Sequence, residues 1–335
     1  MPELLDHAHS GDRGALAVEA ALCWIATATD ITPTGGDPRR QVRAAILPTH
    51  LALRGAPQEI YYDRSPETMI ARGRGIALIT GASAGIGLEF CRQLAAAGYA
   101  IVAVARRSER LAALARELEL AYGARVTTLT IDLGEAGAAA AILNALAGVE
   151  IDVLINNAGY GVPGRYLSSP WPTHARFQRV MLDVVAELSH GLVSGMCARQ
   201  HGTIINVASV AGFLPGSAGH TLYAAVKAWM ICFSESLALE SEAQGVRVCA
   251  LCPGFTYSEF HDVTGTRAQL AGLPSWLWMS AERVVREGLA AASAGRMVYI
   301  PGRINRVIVM LARVLPRVLL QQISRRQSRR FRATH

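Results

Sequence analysis

From Ile76 onward the chain alternates short apolar runs with longer segments of helical periodicity. IALIT (76–80), AIVAVA (100–105), RVTTLTI (125–131), DVLIN (152–156), GTIINVA (202–208), VRVCAL (246–251) and RMVYI (296–300) read as seven strands. Several are apolar throughout, as a strand covered on both faces must be. Helix-length segments at 86–97, 108–122, 135–147, 173–200 and 223–243 separate them. Strands joined through helices make right-handed crossovers. The alternation therefore predicts an α/β fold, a doubly wound seven-stranded parallel sheet in one main domain over 71–302. Ligands of such a sheet gather at the carboxyl ends of its strands.

The other regions break this rhythm. In residues 1–70, GALAVEAALCWIATA (14–28) has a helical pattern, but DITPTGGDPRRQ ends it and nothing periodic follows. The segment is expected to be a poorly structured extension, or upstream sequence ahead of an alternative start at Met69. With 51% apolar and 18% charged residues, the chain is not compositionally disordered. Six cysteines in 335 residues do not make a disulfide scaffold. Cys249 and Cys252 form a C-x-x-C with no second ligand pair, so buried thiols and no metal are expected. No run of eighteen uncharged apolar residues occurs, and MPELLDHAH lacks a signal-peptide pattern. A cytoplasmic protein without a transmembrane helix is the expectation.

Three stretches carry chemistry. LITGASAGIGLEF places Thr80, Gly81, Gly85 and Gly87 between the first strand and the first helix. Such a turn lets a pyrophosphate approach the backbone at a helix N-terminus; it also serves tight helix–strand packing. VARRSERL follows the second strand with Arg106 and Arg107 and no acid directly at the strand end. An acid there would hold a ribose 2′-hydroxyl, whereas arginine accommodates a 2′-phosphate. The pair favours NADP(H) over NAD(H), against the plainer reading of arginines that open a solvated helix. YAAVK sets Tyr223 and Lys227 on one helix face at i, i+4 spacing. Lys227 is the only lysine in a chain with 33 Lys plus Arg. An ammonium near a phenol lowers its pKa from near 10 toward a useful range. Arginine's broad planar fork does not replace a compact ammonium there.

Together these motifs resemble a classical short-chain dehydrogenase/reductase. The chain has T-G-x-x-x-G-I-G at Thr80–Gly87, N-N-A-G at Asn156–Gly159 and NVASVAG at 206–212. Y-x-x-x-K at Tyr223–Lys227 and CPGFTYSEF at 252–260 complete the series, which covers roughly residues 74–300. The resemblance implies a Rossmann-like fold, hydride transfer with a nicotinamide cofactor, and a homo-oligomer of two or four copies. It implies Tyr223 as the general acid–base, Lys227 as its pKa partner and ribose contact, and Ser209 as the holder of the substrate oxygen. For the cofactor it implies Gly81, Ser83, Gly85, Ile86 and Gly87 at the pyrophosphate, Asp132 at the adenine, and Asn156, Ala158 and Gly159 beside the adenine ribose. Pro253, Gly254 and Thr256 would touch the nicotinamide carboxamide.

One member of the family's usual set is missing. An asparagine is expected about twenty-eight residues before Ser209, and that position is Met181. Read forward from RVMLDV, the expected position is Val185, and no asparagine occurs from Tyr160 to Ile205. The anchors disagree by about four residues, near one helical turn, as though a turn were deleted. Asp183 is the nearest polar substitute. The loss bears on the proton relay behind Lys227 and leaves the Ser–Tyr–Lys chemistry in place. It also keeps a rival open, a cofactor-binding protein with weak turnover that serves as a sensing or scaffolding subunit.

The substrate side and the tail are less specific. Phe260, Leu273, Trp276, Leu277, Trp278 and Met279 make 255–280 strongly apolar. They are read either as a cover over a hydrophobic, lipid- or steroid-like substrate or as packing against the body or a partner subunit. His220 and His261 are further candidates near the pocket. Residues 303–335 carry nine arginines and no acid on an apolar periodicity that Pro316 interrupts. That pattern fits an amphipathic segment on an anionic membrane surface, with an ordinary solvated end as the competing reading. Contact with nucleic acid is not expected, because base-stacking aromatics are nearly absent.

Overall fold

Seven parallel strands pair in the computed structural model, which describes residues 74–162, 164–216, 218–219, 221–259, 274–322 and 324. They are β1 (Ile76–Thr80), β2 (Ala100–Ala105), β3 (Val126–Thr130), β4 (Val153–Asn156), β5 (Gly202–Val207), β6 (Val246–Leu251) and β9 (Val298–Tyr299). Their order across the sheet is β3-β2-β1-β4-β5-β6-β9. The order reverses between β1 and β4, which is the switch point where such sheets open a crevice.

The alternation within β1 shows why its residues are apolar throughout. Ile76 and Leu78 enter one core, Ala77 and Ile79 the other. The first core lies under α3 (Ala138–Ala145), the long helix made of α4 (Trp171–Gln178) and α5 (Val184–Ala198), and α6 (Thr221–Ser241). The second lies under α1 (Gly85–Ala96), α2 (Ser108–Tyr122) and α7 (Ala281–Ser293). The stretches Trp171–Ala198 and Thr221–Gln244 are long and apolar enough to span a membrane. Both lie on the sheet, with Phe177, Met181 and Leu188 buried on one and Val226, Met230 and Ala238 on the other.

Boundaries move where local chemistry competes. α3 starts later than expected because the Glu135 N–H turns back to the Asp132 carbonyl and Gly137 is left-handed at φ +77. The last strand shortens to two residues. A small parallel ribbon, β7 (Thr256–Tyr257) with β8 (Met279–Ser280), was not foreseen. The tail does not begin as a free appendage. Arg303–Val314 forms α8, whose Asn305 and Val309 are buried, and Arg313 lies over the Phe213 ring at 4.9 Å. The expected extension 1–70, Phe260, Leu273, His220, His261 and the arginines beyond residue 324 lie outside the described residues.

Candidate active site

The turns after β1 and β4 lie side by side at the switch point and are stapled together. Thr80 Oγ1 accepts the N–H groups of Asn157 (3.0 Å) and Ala158 (3.1 Å). Asn157 Nδ2 donates to the Thr80 carbonyl at 2.9 Å. This contact explains two glycines. A Cβ on Gly81, which sits at φ +67, would come within 2.8 Å of Asn157 Nδ2. A Cβ on Gly87 would come within 2.3 Å of the Gly81 carbonyl oxygen. A bare backbone at the head of α1 is what an approaching phosphate requires. Ile86 packs on the second core. Ala158 packs on the first core.

Ser209 follows β5 and caps a single 3₁₀ turn, Val210–Phe213, its Oγ accepting the Ala211 N–H at 3.1 Å. A Cβ on Gly212 would meet the Lys227 backbone at 2.7 Å, so glycine lets this turn close on α6. The closure brings Ser209 into hydrogen bonding with the Tyr223 side chain. Tyr223 is partly exposed, yet burial around its hydroxyl pushes the phenol pKa up to about 12, against the lowering by Ser209. Lys227 is 4% exposed, and Nζ donates to the Val207 carbonyl at 2.6 Å. Desolvation pulls its pKa down to about 8. The expectation that Lys227 drags the phenol toward neutrality is corrected, since desolvation outweighs every lowering contact. The ammonium sits 5.7 Å from the ring centroid and is directed to a carbonyl, so burial decides the sign.

Other expected residues fall around the same crevice, with side chains differently engaged. Asn156 is turned into the core, its Nδ2 donating to Asn206 Oδ1 (2.9 Å) and Ser189 Oγ (3.3 Å). Asn206 Nδ2 in turn donates to Ser234 Oγ at 2.9 Å. Asp132 pairs with Arg176 and accepts the Gly134 N–H. Thr256 is buried and donates to the Gly254 carbonyl at 3.1 Å, while Pro253 receives the Val210 N–H at 3.0 Å. Gly254 lies under Asn305 of α8, which a Cβ would strike at 2.3 Å. Arg106 is exposed. Arg107 donates to Ser83 Oγ (3.1 Å) and pairs with Glu259 (3.0 Å). Cys249 and Cys252 are buried free thiols, their pKa values pushed up by desolvation.

The place of the missing asparagine is apolar. The long helix passes through one π-helical turn, Arg179–Asp183, which inserts extra backbone where the sequence anchors disagreed. Met181 at its centre is fully buried, and its sulfur lies 2.9 Å from where a Gly159 Cβ would stand. Val185 is buried among Ala208, Met230 and Cys252. Asp183 is exposed and supplies no substitute. Sequence reasoning missed the Asn157 staple, the Ser189–Asn156–Asn206–Ser234 file and Glu259. Asn156 and Asn157 inside N-N-A-G, Asn206 at the head of NVASVAG and Glu259 within CPGFTYSEF lay in motifs, but nothing local named their partners.

Of the apolar residues read as a substrate cover, Leu277 and Met279 are buried. Leu277 packs with Phe255, Trp278, Ile304 and Ile308, so this part serves the body. Tyr257 stacks on Trp278 at 5.0 Å, and Tyr257 and Trp276 stay exposed.

A glycine turn at the switch point and a Ser–Tyr–Lys cluster at the neighbouring strand ends place the chain in one class of Rossmann-like proteins. The short chain dehydrogenase family model matches residues 75–268, and the chain belongs to that family. A very-long-chain 3-oxoacyl-CoA reductase of Laccaria bicolor is 32% identical over 191 residues, 56% of this chain and 56% of that protein. The chain thus aligns with little more than half of that relative's length. A 7beta-hydroxysteroid dehydrogenase of Collinsella aerofaciens is 31% identical over 179 residues, 53% of this chain and 68% of its own. Among solved structures, a short-chain dehydrogenase from Sphingobium yanoikuyae in complex with NADPH superposes with a TM-score of 0.64 at 30% identity. That match covers 68% of this chain and 88% of the other.

Proposed function

We propose that this chain is an NADP(H)-preferring oxidoreductase that interconverts an alcohol and a ketone or aldehyde on a hydrophobic, lipid- or steroid-like substrate. The observation that carries the reading is the Ser209–Tyr223 hydrogen bond with Lys227 buried behind it, at strand ends beside a glycine cradle. The turn fits a dinucleotide, since Gly85 and Gly87 leave the backbone bare at the head of α1, where a pyrophosphate is favoured. Gly81, Ser83, Gly85, Ile86 and Gly87 would hold the pyrophosphate, and Arg107 beside Ser83 the 2′-phosphate. The engaged side chains of Asn156 and Thr256 leave mainly backbone to contact the cofactor there and at Ala158, Gly159, Pro253 and Gly254. When bound, the nicotinamide supplies or accepts the hydride.

The chain's own residues handle orientation and the proton. The Ser209 hydroxyl holds the substrate oxygen, and the Tyr223 hydroxyl exchanges a proton with it. A phenol held near 12 is protonated at neutral pH, which suits it to donate during reduction. Lys227 places positive charge behind the phenol. The exposed Tyr257 and Trp276 support an apolar substrate, as do relatives named as reductases of very-long-chain acyl thioesters and as a hydroxysteroid dehydrogenase. The test follows NADPH absorbance over 3-oxoacyl thioesters, oxosteroids and simple ketones, with Tyr223→Phe as control. Turnover lost in that variant is expected. Tight NADPH binding with no turnover on any ketone would favour the sensing or scaffolding rival.

A membrane-surface contact is the second reading. Val307, Met310 and Val314 lie exposed along α8, with Arg303, Arg306, Arg313 and Arg317 around them. That combination fits an anionic lipid surface. Wild type should co-sediment with phosphatidylserine vesicles and Met310→Glu/Val314→Glu should not; equal sedimentation of both would end this reading. The assembly proposed is a homo-oligomer of two or four copies, read out by light scattering.

A further inference from the structure

We infer that Glu259 is a specificity-determining residue of the cofactor site: its carboxylate occupies the anion position between Arg107 and Arg110 and competes there with the cofactor's 2′-phosphate. The inference rests on the NADP(H) reading above and goes beyond it. Glu259 follows β7 and lies far in sequence from both arginines. Its Oε2 pairs with Arg107 at 3.0 Å, and its Oε1 accepts a hydrogen bond from Arg110. Arg107 is at the same time bonded to Ser83 Oγ in the glycine turn. The backbone carrying Glu259 runs against that turn, for a Cβ on Gly85 would stand 2.9 Å from the Ser258 Cβ.

Two guanidiniums converging beside a phosphate-binding turn are an oxyanion receptor, and a carboxylate satisfies the same donors as a phosphate monoester. The place is therefore filled by the protein's own anion. Sequence reading predicted the opposite, a site with arginines and no acid, because the acid comes from the other end of the domain.

The energetics favour a tuning role over a block. Side-chain exposures of 42% for Arg107, 47% for Arg110 and 39% for Glu259 place the cluster in water, where such pairs are weak and readily exchanged. NADPH must displace Glu259, whereas NADH, which lacks the 2′-phosphate, makes no claim on the arginines. Glu259 thus handicaps the phosphorylated cofactor selectively.

Direct titration of the full chain with NADPH and NADH, and with 2′,5′-ADP and 5′-AMP, tests this on Glu259→Gln and Glu259→Ala. Both variants should tighten NADPH and 2′,5′-ADP by roughly three- to tenfold while NADH and 5′-AMP change less than about twofold, the scale of an exposed ion-pair cluster. An equal change for both kinds of ligand would show that Glu259 only anchors its loop, and unchanged or weaker 2′,5′-ADP binding would likewise overturn the inference. Arg107→Ala separates this failure from failure of the parent reading. If it weakens 2′,5′-ADP and Glu259→Gln does nothing, only the competition is wrong. If it leaves 2′,5′-ADP untouched, the NADP(H) assignment falls and the competition with it.

Discussion

Glu259 lies between two guanidiniums with 39% of its side chain in solvent, whereas Lys227 is 4% exposed and has no ion pair among the described residues. Both bond groups at the carboxyl ends of the sheet strands, yet water governs the first and its exclusion governs the second. At the exposed end opposite charges neutralise one another cheaply and can be exchanged for a ligand. At the buried end a lone ammonium is removed from solvent and donates to the Val207 carbonyl, and desolvation draws its pKa down to about 8. Charge chosen for recognition can stay wet; charge chosen for chemistry is placed where its environment alters it.

The sharpest way to break this contrast is Lys227→Arg. The charge is kept but the fork does not fit beside Val207 and under the Tyr223 ring, and turnover in the NADPH assay should fall by about 10² or more. Retention of near-normal turnover would show that charge alone matters. Next is Gly87→Ala, whose methyl would meet the Gly81 carbonyl at 2.3 Å. A stability loss of about 1–3 kcal/mol by urea unfolding is expected, with weaker NADPH binding.

The third is a pH dependence. Lys227 has a folded pKa near 8 against an ordinary 10.5, so between these values the unfolded chain binds more protons and stability rises with pH. Between pH 8 and 9 the wild type should gain up to roughly 1 kcal/mol relative to Lys227→Met, by paired denaturant titrations. A parallel course of the two proteins would mean the ammonium is not desolvated. The smallest effect belongs to the wet end, where Glu259→Gln should shift unfolding free energy by less than about 1 kcal/mol.

Much of this molecule was legible because hydrophobic burial writes itself into short patterns. β1, β2 and β6 coincide with their apolar runs, and α2 spans its expected 108–122, closed by a left-handed Gly123. The motif residues converge because turns after parallel strands must meet at one edge. What stayed hidden depends on contacts between distant segments. Asn206 and Ser234 gave no local sign that they would bond each other across β5 and α6. The four-residue mismatch around Met181 signalled trouble in the helix, but the π turn that widens the backbone and seats a thioether on Gly159 comes from packing between distant segments. The pKa of Tyr223 was misread because a pair spacing gives proximity and says nothing about the amount of protein packed over it.

The single lysine also turns the protein into its own reporter. With one ε-amine in 335 residues, any amine-directed reagent has a unique side-chain target, and that target lies inside the candidate site. An amine that titrates near 8 is substantially nucleophilic in mildly alkaline buffer. Because Lys227 is buried, the rate of its acylation, followed by intact mass, would report how often the site opens, and a ligand that holds it closed would slow the adduct. A ligand search could proceed on that readout without knowing the reaction in advance.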